Sequence, residues 1–185
     1  MTDEQFSYAM ERIRKKDKSA LKEIYEEYVS FIFHAVLDVV RSREAAEDIT
    51  SEFFIKLWEK PGGYKEGSGH KGYLATIARN MAIDHLRKYK REELMSGQDD
   101  DVDEMPDELS MASDTHSSPE EEALSNLSVE QTLNKLKPVY REIITMKVLA
   151  DMTFKEISEV LDMPMGTVTW NYREAIKQLR RFGYE

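Results

Sequence analysis

Residues 153–181, TFKEISEVLDMPMGTVTWNYREAIKQLRR, decide the fold. Thr153, followed three positions later by Glu156, makes a Thr-x-x-Glu capping box that opens a helix. Phe154, Ile157, Val160 and Leu161 supply that helix with a buried face. Pro164 cannot continue a helix interior and Gly166 has no Cβ restriction, so Asp162 to Gly166 reads as a turn. In the second helix Val168, Tyr172, Ala175 and Leu179 recur at four, three and four residues, which puts them on one packed stripe. The opposite face carries Thr167, Thr169, Trp170, Asn171, Arg173, Glu174 and Lys177, a mix of donors, acceptors and positive charge suited to base edges in a major groove and to the flanking phosphates. A capped helix, a turn and a basic second helix, in that order, make a helix-turn-helix. An amphipathic hairpin with a solvated charged face is the alternative that these residues leave open.

Upstream of this pair, Pro138 suits the first turn of a helix over about 138–149 that buries Val139, Ile143, Met146 and Leu149. Ser128 with Gln131 resembles a further capping box ahead of Leu133 and Leu136. Together these segments predict a small four-helix C-terminal domain. In the N-terminal half, Leu21, Ile24, Tyr25, Tyr28, Phe31, Ile32, Ala35, Val36 and Val39 keep a helical period through residues 18–40. Residues 44–59 form a second helix with Ile49, Phe53 and Leu57 inward. A third runs from about His70 to Arg91, with Leu74, Ile77, Ala78, Met81 and His85 on its packed side. No segment competes as a strand, so the fold class is all-α.

The net charge of −10 is unevenly spread. Residues 92–122 hold thirteen Asp and Glu and no Lys or Arg, whereas the flanking parts are close to neutral. That acidic stretch has too few large apolar residues to offset the cost of ordering it, and reads as a flexible linker. As a nucleic-acid mimic it would occupy a basic channel; as a plain tether it would only solubilise. The expected organisation is therefore a helical domain over 1–92, an acidic linker over 93–124 and a helix-turn-helix domain over 125–185. With 185 residues, each bundle buries a modest core. There is no cysteine, which excludes disulfides, thiolate zinc sites and cysteine nucleophiles. No apolar run approaches the ~20 residues of a membrane span. The N-terminus, MTDEQFSYAM, is too polar for a signal peptide, so a cytoplasmic location is expected.

Three further constellations stand out. On the third helix Asn80, Asp84, Arg87, Lys88 and Arg91 share the face opposite the apolar stripe, and Tyr73 with Tyr64 adds rings on which an unstacked base can sit. A packed Tyr73 beside a solvated basic helix end is the plainer reading. Gly67, Gly69 and Gly72 spell a literal G-x-G-x-x-G, but a charged helix rather than a strand precedes them, so a loop is favoured over a dinucleotide site. The carboxylates Asp48, Glu52 and Glu59, at helical spacing, read most simply as a solvated face; as a functional surface a protein-docking face is preferred to an acid-base or divalent-metal set, since no histidine joins them. His34 and His85 sit on or beside apolar stripes, and His70 and His116 in loops. Neither a metal, a cofactor, a small-molecule substrate nor a catalytic triad is indicated, and the chain is not expected to be an enzyme.

Two helical modules around an acidic linker, with AEDITSEFFIKLWE at 46–59, GYLATIARNMAIDHLRK at 72–88 and then the helix-turn-helix, resemble bacterial RNA polymerase sigma factors of the sigma-70 family, extracytoplasmic-function group. The IARN-x-x-x-D-x-L-R string and the P-x-G-T-V turn carry the resemblance, which covers nearly all of residues 18–182. It implies a subunit that binds core RNA polymerase and directs it to promoter DNA. Asp48, Glu52 and Glu59 would then dock on the polymerase, and Asn80, Asp84 and Arg87 would engage the melted minus-10 element. The loop at 62–71 would capture a flipped base, the helix at 167–181 would read the duplex minus-35 element, and the linker would thread the RNA exit region. An anti-sigma factor is a candidate further partner. Two positions depart from the family pattern: Tyr73 stands where Trp is usual, and TWNYREA replaces a Ser-Arg pair. The rival without polymerase docking is a stand-alone helix-turn-helix regulator.

Overall fold

The computed structural model describes residues 1–65, 69–95 and 133–182, and among them every regular element is helical. Helix α1, Asp3–Arg14, is capped by Thr2, whose hydroxyl accepts from the Gln5 amide while the Gln5 side chain returns to the Thr2 amide. Its Phe6, Ala9, Met10 and Ile13, at helical spacing, are all buried. Helix α2, Lys18–Val40, starts from an Asp17 cap and ends at Arg41 in the left-handed conformation. Helix α3, Arg43–Glu59, follows a Ser42 cap and buries Ala46, Ile49, Phe53, Phe54 and Leu57. A single 3-10 turn over Pro61–Gly63 leads towards α4, His70–Met95. After residues 96–132 come α5, Pro138–Val148; α6, Phe154–Leu161; and α7, Met165–Arg181.

Helices α1 to α4 form the first bundle, with α2 as the central rod against α1, α3 and α4. Helices α5 to α7 form the second, in which Val168 and Ala175 of α7 are fully buried and the Phe154 and Tyr172 rings meet edge-on at 5.3 Å. The expected capping box of α6 is present, with the Thr153 hydroxyl accepting from the Glu156 amide at 3.2 Å and the Glu156 carboxylate accepting from the Thr153 amide at 2.7 Å. Asp162, in the left-handed region at φ 52°, terminates α6 and makes the turn into α7.

The two bundles share one core. Ile143, Met146, Met152, Ile157, Leu161 and Val168 belong to the same buried apolar cluster as the residues of α1 to α4. Polar groups stitch the seam. Thr145 Oγ1 donates to Asp38 Oδ2 at 2.6 Å, Arg141 Nη2 donates to the Asp38 carbonyl at 3.1 Å, and Arg79 Nε donates to Glu142 at 2.7 Å. Arg141 is only 2% exposed, and its Nε lies 3.5 Å from Asp38 Oδ1 without a hydrogen-bond partner. Burial pushes the Asp38 carboxyl up to about 7, with the hydrogen bond from Thr145 pulling the other way.

Several inward assignments are corrected. His85 is exposed and Ala82 takes its place in the core, because the stripe follows Leu74, Ala75, Ala78 and Ala82. Tyr25 and Leu149 are exposed, and Asp38 is buried on a helix read as apolar inside. Helix α4 also continues to Met95, past the expected start of the linker at 93. The rest of the linker, the Ser128–Gln131 capping box, Gly67 and His116 lie outside the described residues.

Candidate nucleic-acid interface

Three surfaces carry the candidate residues. The first runs along α4, where Tyr73, Asn80, Asp84, Arg87 and Arg91 recur at seven, four, three and four residues and so share one stripe, with Lys88 beside it. Asn80, Asp84, Arg87, Lys88 and Arg91 are exposed, and the Asp84 and Arg87 side chains lie 3.6 Å apart, too loosely paired at the surface to be held from a ligand. Tyr73, half-buried, heads the stripe at a cleft of about 200 Å³ that it lines with Phe53, Lys56, Leu57, Lys60 and Ile77. A partly covered ring in a cleft that two lysines also line is chemistry suited to a base and its phosphates. Lys56 and Lys60 escaped the sequence reading because they belong to α3 and its end, and only the packing of α3 on α4 brings them to Tyr73.

Tyr64 does not present its ring. It is 4% exposed, edge-on to Phe6 at 4.9 Å and 5.3 Å from Tyr73, so it anchors the loop instead of offering a stacking platform. Burial of the Tyr73 hydroxyl raises its pKa, which keeps it a neutral donor at ordinary pH.

The second surface is α7. Thr167, Arg173 and Lys177 are exposed, and Trp170 is 59% exposed. The Thr169 hydroxyl is spent on the Met165 carbonyl at 2.8 Å, leaving mainly its methyl for contact. Asn171 is 7% exposed and faces inward with Val168 and Ala175, at three and seven residues along the packed stripe; its expected place on the readable face is corrected accordingly. Arg180 and Arg181 join Arg173 and Lys177 around a groove of about 520 Å³ that also takes in Tyr172 and Ile176. These last two arginines were not singled out from sequence, although they extend the basic run of the same helix. Four cations around one groove concentrate positive potential in a chain that is acidic overall.

The third surface is α3. Asp48, Glu52 and Glu59 are all exposed and lie within one narrow stripe, since eleven residues make roughly three helical turns. Glu52 shares its carboxylate with Lys56 at 3.0 Å. Ile55, 55% exposed, sits between the acids on the same stripe. A branched aliphatic ringed by carboxylates is a feature of protein interfaces, and sequence periodicity alone had grouped only the charges. Among the described residues no group of His, Asp and Glu is arranged to hold a metal ion.

Comparison with known proteins bears on all three surfaces. Residues 24–92 match the family model for sigma-70 region 2, and residues 126–179 match that for sigma-70 region 4. The chain is 29% identical over 178 residues to the ECF RNA polymerase sigma factor BldN of Streptomyces coelicolor, covering 93% of this chain and 63% of that one. To the ECF RNA polymerase sigma factor SigW of Bacillus subtilis it is 27% identical over 178 residues, covering 92% and 95%. Among solved structures, the sigma factor RpoE in complex with the anti-sigma factor NepR from Bartonella quintana superposes with a TM-score of 0.63 at 19% identity, over 86% of this chain and 94% of that one. CnrH in complex with the cytosolic domain of CnrY gives 0.61 at 16% identity, over 96% of each chain. These two likenesses concern the fold.

Proposed function

Because the chain belongs to the sigma-70 family of RNA polymerase sigma factors, extracytoplasmic-function group, we propose that it binds core RNA polymerase and directs it to promoters by reading two DNA elements in two different states. The observation that carries this reading is the pairing, in one chain, of a stripe suited to an opened strand with a helix-turn-helix suited to intact duplex. On α4, Asn80, Asp84, Arg87, Lys88 and Arg91 meet the melted minus-10 element, with Tyr73, Lys56 and Lys60 taking an unstacked base. On α7, Thr167 and Trp170 face base edges of the minus-35 element, while Arg173, Lys177, Arg180 and Arg181 meet phosphates. The stripe of Asp48, Glu52, Ile55 and Glu59 docks on the polymerase. Two weak DNA contacts in one chain gain avidity only when a third surface fixes their separation, and the polymerase supplies it.

The chain acts by recognition and contributes no catalytic group of its own. It works where the polymerase works, in the cytoplasm; no helix among the described residues is long and apolar enough to cross a membrane. An anti-sigma factor is the partner that holds it in check. Transcription in vitro with core polymerase over a randomised promoter library tests the reading, with selective initiation as the expected result. Duplex binding without any initiation would turn the assignment to a stand-alone regulator.

Arg173→Ala and Lys177→Ala are each expected to weaken duplex minus-35 binding and to lower the slope of log affinity against log salt by about one. Binding measured between low and moderate salt checks this, and equal slopes for variant and parent would exclude phosphate contact by that side chain.

A further inference from the structure

Helix α1 lies outside the region 2 match, which begins at residue 24, yet it holds the start of the strand-reading helix. The first backbone amides of a helix need acceptors, ordinarily supplied by the side chain of the preceding residue. Here that residue is Gly69, with no side chain and with φ +77°. The acceptor comes instead from a residue 67 positions earlier. Asp3 Oδ1 accepts from the His70 amide at 2.9 Å and from the His70 ring at Nδ1. The His70 ring is 3% exposed, stacks on Phe6 at 5.0 Å and 22°, and meets the Tyr28 hydroxyl through Nε2 at 2.6 Å. Since a carboxylate only accepts, Nδ1 carries the proton of that bond, and Nε2 is left to meet the Tyr28 hydroxyl. Burial raises the Tyr28 pKa and so keeps that phenol a donor; the bonds from the His70 amide and ring lower the Asp3 pKa and keep it an anion.

The other end of the same loop hangs on α1 as well. The Tyr64 ring rests on Phe6, its hydroxyl lies 3.4 Å from Ser7 Oγ, and its carbonyl accepts from Arg14 at 3.4 Å. We infer that α1 is a positioning element for single-strand recognition, in which Asp3, acting as an N-cap supplied by another helix and relayed through His70 to Tyr28, sets the register of α4 and hence of Tyr73 and the Asn80–Asp84–Arg87 stripe. This rests on the promoter-reading function proposed above and assigns it a determinant that touches no DNA.

The test compares Asp3→Ala and Asp3→Asn in the full chain with core polymerase. The expected result is that Asp3→Ala lowers open-complex formation by about tenfold, the scale of a lost cap plus a stranded buried donor, and blurs base preference at the melted element. Asn retains a cap oxygen, so Asp3→Asn is expected to stay within about twofold of the parent. Polymerase affinity and minus-35 binding should be the same for all three. Amide exchange at Tyr73 and Leu74, faster in Asp3→Ala alone, reports the cap without any DNA. Parental open-complex rate and base preference in Asp3→Ala would overturn the inference, and so would an equal loss of polymerase binding, which marks a purely structural role. A parent chain that fails to initiate would instead sink the promoter-reading function, while the exchange measurement would still judge the cap.

Discussion

Asp48→Arg combined with Glu52→Arg is expected to lower affinity for core RNA polymerase by at least tenfold and to abolish initiation at ordinary protein concentrations. Both carboxylates are exposed and one turn apart on α3, on the N-terminal side of Ile55, so the double change turns an acidic rim basic without touching the core. Placing like charges opposite each other at an interface costs several kcal/mol, whereas surface substitutions ordinarily move stability by about 0.5 kcal/mol or less. Among the described residues the ion pair disturbed is the exposed Glu52–Lys56 pair, worth about 0.3–0.5 kcal/mol. Melting temperature and minus-35 duplex binding should therefore match the parent. Polymerase capture at matched concentration decides it, and undiminished affinity would remove the docking role from this stripe.

Arg141→Ala should have the largest effect on the conformation of the chain. Removing the guanidinium leaves the buried Asp38 carboxyl with Thr145 as its hydrogen-bond donor and with Glu142 raising its pKa further. Breaking a buried charge pair from one side costs about 3–5 kcal/mol. Because Asp38 belongs to α2 and Arg141 to α5, that cost falls on the seam between the bundles. The expected outcome is a larger radius of gyration in solution scattering and faster amide exchange along α5, with α1 to α4 still protected. Asp38 also gives the effect a pH sign. Its folded pKa, about 7, lies above the ordinary 3.8, so between those values the folded state keeps a proton that the unfolded chain has released. The contribution of this group is fully favourable below 3.8 and is lost as pH rises through 7. The opening caused by Arg141→Ala should be greatest above neutral pH and recede on acidification. A variant with parental scattering at pH 8 would show that the seam does not depend on this pair.

What could be read in advance follows from how local each signal is. The limits of α2 and α3 and the Thr153–Glu156 box depend on residues within a few positions of one another, and they stand where periodicity and capping put them. Helix α1 carries an equally local signal, with Thr2–Gln5 as its box and Phe6, Ala9, Met10 and Ile13 as its stripe. The inward turn of Tyr64 and Asn171 and the burial of Asp38 depend on partners far along the chain. Arg141, which donates to the Asp38 carbonyl, lies 103 residues away, and no window of sequence contains both. The same reason hid Asp3, whose acceptor role at His70 spans 67 residues.

A molecule whose halves share a core carries an internal competitor against every ligand that requires them parted. The affinity observed for such a ligand is its intrinsic affinity scaled by the fraction of molecules already parted, so a fraction of about 1% weakens binding about a hundredfold. The Arg141–Asp38 contact across the seam favours the joined form in that competition. For such a ligand, substitutions that loosen this contact should raise the observed affinity while leaving every side chain that meets the ligand as it was.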